Sequence, residues 1–198
     1  IVTTAVLITV PAIIFMINDM MTGNEKMPVF KALFQSVTLR TAGFNTVDLN
    51  AMKQASVMIM IVLMLIGGSP GSTAGGMKTT TFAVLMGNMV ATFKRNNDTV
   101  KNAATIAMMY ITLFVTGAFI INVTDGISIG KCLFETASAV GTVGLTLGIT
   151  PQLGILSRIV LIILMFMGRV GGLTLIYAAF SGNGNSYSKF PEEKINIG

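Results

Sequence analysis

The chain repeats itself, and the repeat limits its architecture more than any other feature. Laid on itself at a shift of about one hundred residues, Lys31-Ala32-Leu33-Phe34-Gln35-Ser36 lies over Lys131-Cys132-Leu133-Phe134-Glu135-Thr136. After one extra residue, Thr41-Ala42-Gly43-Phe44-Asn45 lies over Thr142-Val143-Gly144-Leu145-Thr146. At that later shift Ile66-Gly67 falls on Met167-Gly168, and Gly71 falls on Gly172. Three matches in the same order are improbable by chance, even in apolar sequence. The repeated unit reads as a long apolar run, a short one, a Thr-Xaa-Gly segment and another long run.

The lengths of the apolar runs say what the units are. A helix needs about 20 apolar residues to cross a hydrocarbon core of roughly 30 Å. Residues 1–17 and 103–123 carry no charge and approach or reach that length, and 153–180 exceeds it despite Arg158 and Arg169. Residues 28–39 and 129–140 supply about half a crossing each. Half-helices that run into irregular backbone are tolerated at membrane depth only where protein or a water-filled cavity surrounds them, which predicts re-entrant loops. The stretch 51–93 is broken by Gly67-Gly68-Ser69-Pro70-Gly71-Ser72-Thr73-Ala74-Gly75-Gly76, a string that cannot hold a regular helix. It predicts a membrane helix with an unwound loop inside it.

Composition agrees with lipid as the main solvent: 53% of the residues are hydrophobic and 11% charged, against about a quarter charged in soluble domains. With no histidine and Cys132 as the single cysteine, an internal disulfide is excluded and a His/Cys metal site is disfavoured. The commonest general base for catalysis is also missing. A net charge of +5 without a block of like charges fits basic loops at a membrane surface better than a nucleic-acid partner. The connector 94–101 carries Lys94, Arg95 and Lys101 against Asp98, which assigns it to the cytoplasmic side. In 18–31 the signs balance, as an outer segment allows. The first residues, Ile1-Val2-Thr3-Thr4, already lie inside an apolar run without a basic leader. They suggest a sequence that starts partway through a longer polypeptide.

Thr-Xaa-Gly is a weak signal alone and a strong one twice, each time after a half-helix at the repeat spacing. A dehydrated potassium ion needs a ring of oxygens in place of its water. Backbone carbonyls of an extended loop supply them, and a half-helix C-terminus adds partial negative charge. Gly43 and Gly144 would let the backbone turn neighbouring carbonyls toward an axis, and Thr41 and Thr142 would add oxygens below. The competing view is a pair of simple turns between packed helices.

These residues resemble the Trk/Ktr/HKT superfamily of cation transporters. Arg40-Thr41-Ala42-Gly43-Phe44-Asn45 is similar to its third filter and Thr142-Val143-Gly144-Leu145-Thr146 to its fourth. The string from Gly68 to Thr79 is similar to its intramembrane loop, and Met167-Gly168-Arg169-Val170-Gly171 to the start of the arginine motif of its last helix. The likeness runs along the whole chain to the tail 187–198 and is nearest to the C-terminal half of a Ktr-type potassium uptake membrane subunit. It implies an all-α integral membrane protein with two span, pore-loop, span repeats of a four-repeat potassium-channel-like pore. Residues 1–101 would be the third repeat and 102–198 the fourth with a cytoplasmic tail. It implies potassium binding at Thr41, Ala42, Gly43, Phe44, Thr142, Val143, Gly144 and Leu145, with sodium as a coupling or activating ion. It further implies, besides the lipid bilayer, an N-terminal half of the same polypeptide, a homodimer, a cytoplasmic nucleotide-binding regulatory ring and a place in the bacterial cytoplasmic membrane.

The family likeness also assigns the loop 67–76 as a gate beneath the filter; without a helical ladder it is expected to be mobile, unless it is a kink for close packing. Arg169, a charge in an apolar helix and so a functional candidate, would face the cavity and hold that loop closed, or else pair with Glu135. Arg40 is expected behind the filter as an anchor. Lys78 either bonds loop carbonyls or reaches the interface. Two rival architectures fit the sequence less well. A secondary transporter with discontinuous helices explains 67–76 but not the paired Thr-Xaa-Gly loops. A phosphate-binding enzyme fails because Met77 separates Gly71–Gly76 from Lys78-Thr79, which breaks the P-loop spacing.

Overall fold

The computed structural model describes residues 1–20, 27–90 and 97–170. Its long elements are seven helices: α1 Val2–Met20, α2 Val29–Thr38, α3 Gln54–Leu65, α4 Thr79–Val90, α5 Asn97–Asp125, α6 Ile129–Val140 and α7 Ile155–Val170. Two short 3-10 turns, Leu49–Ala51 and Thr150–Gln152, precede α3 and α7. The fold is all-helical, as the sequence predicts. The end of the long run 153–180, the matches at Gly171 and Gly172, the tail 187–198 and part of the connector 94–101 lie outside the described residues. Asp98 and Lys101, expected in that connector, belong to the first turns of α5.

Length sorts the helices into two kinds. At 1.5 Å per residue, α5 with 29 residues runs about 43 Å, whereas α2 with 10 and α6 with 12 run about 15 and 18 Å. Among the described residues, only α1 and α5 are long and apolar enough to cross a bilayer unaided. Neither α3 nor α4, of 12 residues each, reaches that length. The crossing expected over 51–93 is shared between them, with the irregular segment 66–78 in the middle.

The outward faces of the long helices are apolar. Ile13 and Ile17 on α1, Phe119 and Val123 on α5, and Ile162 and Phe166 on α7 are all exposed. Their place in water would be unfavourable; in a bilayer, or against more protein, it is not. Polar side chains go inward instead: Gln35, Ser36, Thr38, Glu135, Thr136 and Ser138 are buried on the two half-helices.

The half-helix α6 is the centre of the packing, in contact with α3, α5 and α7. Its C-terminal end is gripped backbone to backbone. A Cβ on Gly168 of α7 would lie 1.9 Å from the Val140 carbonyl oxygen, so no larger residue permits this approach. The other half-helix, α2, packs on α1, and its Phe30 and Val37 are exposed.

Candidate functional site

Both half-helices end in the same unusual backbone. Thr41 has φ +67° and Thr142 has φ +53°, and among described residues they are the only non-glycine positions with positive φ. For a β-branched residue this is a true outlier. Two positions on, Gly43 (φ +76°) and Gly144 (φ +90°) are left-handed again. Ala42 and Val143, between them, are not. Residues that alternate in handedness turn successive carbonyls to the same side, whereas a regular strand alternates them. Strain of this kind costs about 1–3 kcal/mol per residue and persists where the surroundings enforce it.

Each half-helix enforces its loop in part with a hydroxyl at the matched position. Thr38 Oγ1 donates to the Phe44 carbonyl, and the Ser138 hydroxyl accepts the Gly144 N–H at 3.2 Å. The peptide N–H groups of Gly43 and Val143 both return to the last turns, to Thr38 O at 3.1 Å and Ser138 O at 2.9 Å. The Phe44 oxygen is thereby turned back toward α2. The two loops also meet each other: a Cβ on Gly43 would lie 2.1 Å from the Val143 oxygen.

Beyond Thr142 the second loop is extended with a period of two. Val143, Leu145, Leu147 and Ile149 are buried, and Gly144, Thr146 and Gly148 are exposed on the opposite side. Glu135 secures its outer part. The carboxylate accepts the Thr146 hydroxyl and the Leu147 N–H (3.1 Å) on Oε1, and the Thr150 hydroxyl (3.0 Å) on Oε2. A buried carboxylate with three donors is satisfied without a cation.

The segment 66–78 lies against the inner ends of both loops and is laced in place. Ile66 and Met77 form a parallel bridge, with Gly67 N–H to Met77 O at 2.8 Å and Met77 N–H to Leu65 O at 3.1 Å. The Gly76 N–H reaches Gly168 O of α7 at 3.3 Å. Three cations take up carbonyls that have no helical partner. Arg40 Nη2 donates to Gly67 O at 3.0 Å, Lys78 Nζ to Ser72 O and Ala74 O at 3.0 and 2.7 Å, and Arg169 Nη1 to Thr73 O at 2.8 Å. On the side of the loop after α6, the Thr142 hydroxyl accepts the Gly75 N–H at 3.1 Å.

Several expectations are thereby refined. The segment does not lack a ladder; it has one of a different kind, because peptide groups at membrane depth must be paired. Arg169 bonds the loop, and Glu135 spends its oxygens on Thr146, Leu147 and Thr150, so the alternative Arg169–Glu135 pair is absent. Lys78 bonds loop carbonyls. Arg40 is an anchor, but it is not hidden behind the strand: with Thr41, Thr142, Thr73 and Arg169 it lines a cavity of about 350 Å³. Sequence reasoning missed the clamp made by Glu135 and the hydroxyls of Thr38 and Ser138. For the two hydroxyls a signal is present in the sequence, since extending the match of 31–36 over 131–136 by two residues pairs Thr38 with Ser138.

Residues 1–187 match the TrkH family, described as a cation transport protein, and the chain belongs to it. Among its relatives, potassium/sodium uptake protein NtpJ of Enterococcus hirae is 36% identical over 217 residues, which take in 98% of this chain and 48% of that protein. Ktr system potassium uptake protein B of Vibrio alginolyticus is 38% identical over 192 residues, 91% of this chain and 41% of that protein. The crystal structure of the potassium transporter TrkH from Vibrio parahaemolyticus shares the fold, with a TM-score of 0.70 at 21% identity over 89% of this chain and 43% of that one. The chain thus spans about two-fifths to one half of the length of these relatives.

Proposed function

We propose that the chain is the C-terminal half of a bacterial potassium uptake protein of the cytoplasmic membrane, and that it contributes two of four repeats around one pore. Residues 1–101 form the third repeat and 102–198 the fourth. The observation that carries this is the matched pair of left-handed threonines, each followed two residues later by a left-handed glycine. Carbonyls aligned on one side replace the hydration shell of a cation the size of potassium. On this reading Thr41–Ala42–Gly43–Phe44 and Thr142–Val143–Gly144–Leu145 line the filter, with the Phe44 oxygen the weakest ligand because Thr38 already bonds it.

The segment 67–76 is the gate. Closed, it lies beneath the filter, and the guanidinium groups of Arg40 and Arg169 on the cavity wall oppose a cation that tries to pass. Opening exchanges the bond from Arg169 to Thr73 for another partner. The names of the relatives, which speak of potassium uptake and in one case of potassium and sodium uptake, support potassium as the transported ion; sodium as a coupling or activating ion is part of the proposal. The partners on this reading are the lipid bilayer, the N-terminal half of the same polypeptide, a second copy in a homodimer and a cytoplasmic nucleotide-binding ring that moves the gate. Two repeats supply half a coordination ring, so the chain alone does not conduct.

The test is potassium uptake by an uptake-deficient bacterium that expresses the full-length parent, with and without Gly144→Asp. Uptake by the parent alone, with the variant still in the membrane, is the expected result. Equal uptake by both removes Gly144 from the pore. It then favours a carrier with discontinuous helices, which the break between α3 and α4 would suit.

A further inference from the structure

The segment 66–78 touches the two filter loops at its two ends, and both contacts are made by residues at the inner mouth. Near its start, the Gly67 carbonyl is held by Arg40, the residue immediately before Thr41. Near its finish, the Gly75 N–H is held by the Thr142 hydroxyl, at the position matching Thr41. The second contact is close enough that a Cβ on Gly75 would lie 2.3 Å from Thr142 Oγ1. Gly67 and Gly75 are both buried, so neither peptide group has water as an easy substitute. The loop cannot move without both inner filter positions losing a partner.

We propose that Arg40 and the Thr142 hydroxyl form a two-point latch that links ion occupancy of the inner filter to closure of the loop, so that a potassium ion at the innermost site loosens it. This rests on the assignment of Thr41 and Thr142 as filter residues. The Thr142 hydroxyl has one hydrogen and two lone pairs, and in the closed arrangement one lone pair receives the Gly75 N–H. The positive end of that N–H dipole then points at an oxygen that would also face the ion. Ion and N–H compete for the same oxygen. Arg40 adds a full charge on the wall of the same cavity, held there by its bond to Gly67; its Nε is buried without a partner among the described residues. Free-energy coupling between two sites is reciprocal. If the ion weakens the latch, release of the latch strengthens ion binding by the same factor. Arg40 is in this sense a positioning residue: it acts on the ion through the loop.

The experiment uses the full-length parent protein in potassium-free proteoliposomes. A reporter Ser72→Cys is placed on the exposed tip of the loop, and its modification by a charged thiol reagent is timed as potassium is added. Potassium is expected to raise the modification rate several-fold and saturably, and N-methylglucamine is not. Arg40→Gln should raise the potassium-free rate to that level and flatten the dependence, and Arg40→Lys should restore it. Independently of the reporter, Arg40→Gln should lower the apparent KM for rubidium influx several-fold. If loop accessibility ignores both potassium and Arg40→Gln while rubidium influx persists, the latch is overturned and the filter stands. Failure of the unmodified parent to pass rubidium would instead sink the filter assignment itself. A lower KM without any change in accessibility would mean that Arg40 acts only through its charge, which also overturns the latch.

Discussion

The loop after α2 and the loop after α6 share their backbone but are held at opposite ends. The loop after α6 is fixed at its outer end, where Glu135 takes three donors, and its apolar side chains are buried at every second position. The matching residue on α2 is Gln35; among the described residues its Nε2 finds only the Met60 sulfur at 3.9 Å and its Oε1 has no partner. Ala42, Phe44, Asn45 and Thr46 are all exposed. What this loop has instead is Arg40 at its start, bonded to the segment 66–78. One loop is bonded to its own half-helix, and the other is tied through Arg40 to the segment 66–78. The two backbones match in φ at the Thr and Gly positions; their anchors differ.

The largest expected effect separates the two glycines. A methyl group on Gly43 would press into the Val143 carbonyl at 2.1 Å, and a backbone neighbour cannot rotate away, whereas a methyl on Gly144 meets nothing within 4 Å. Both suffer the left-handed strain of about 1–2 kcal/mol. Gly43→Ala should therefore reduce potassium uptake by the full-length parent at least about a hundredfold, since ~3 kcal/mol in a barrier has that effect. Gly144→Ala should retain measurable uptake. Equal damage from both would show that the approach of the two loops does not matter to transport.

The next test exchanges the anchors. Gln35→Glu puts a carboxylate where the amide has no oxygen partner, and should destabilise by on the order of 3 kcal/mol or more. Glu135→Gln keeps an oxygen for Thr146 and Leu147, turns an NH2 toward the Thr150 hydroxyl, which must then accept instead of donate, and loses charge assistance, about 1–2 kcal/mol in all. Thermal unfolding of the full-length parent in detergent measures both, and the order Gln35→Glu above Glu135→Gln is the prediction. The reverse order would mean that α2 finds donors in the rest of the protein and is as well anchored as α6.

The half-helices and the broken crossing were legible because they depend on length: 28–39 and 129–140 are too short to span, and ten residues rich in glycine cannot be helix. The bounds of α6, Ile129–Val140, coincide with the apolar run. The anchors were not legible, because a hydrogen bond over 11–15 residues, such as those from Thr146 and Thr150 to Glu135, leaves no periodicity. Arg40 shows the same limit. Burial of its charge called for a partner, but only the fold places the Gly67 carbonyl, 27 residues away, beside it. The positive φ of Thr41 and Thr142 runs against their type, and no propensity argument would have found it.

The smallest effect distinguishes the two hydroxyls at the matched position, which hold their loops in opposite senses. Thr38 donates to the Phe44 carbonyl, whereas Ser138 accepts the Gly144 N–H. Thr38→Val frees the Phe44 oxygen, which is then available to a passing ion. Ser138→Ala leaves the Gly144 N–H without its partner, beside a path meant for cations. Each should change stability by only about 1 kcal/mol. Their effects on transport should nonetheless differ in sign, because a freed carbonyl attracts a cation and a freed N–H repels one. Apparent KM for rubidium in the full-length parent should fall with Thr38→Val and rise with Ser138→Ala, each by no more than severalfold. A shift in the same direction for both would mean that the hydroxyls serve only to hold the loops to their helices.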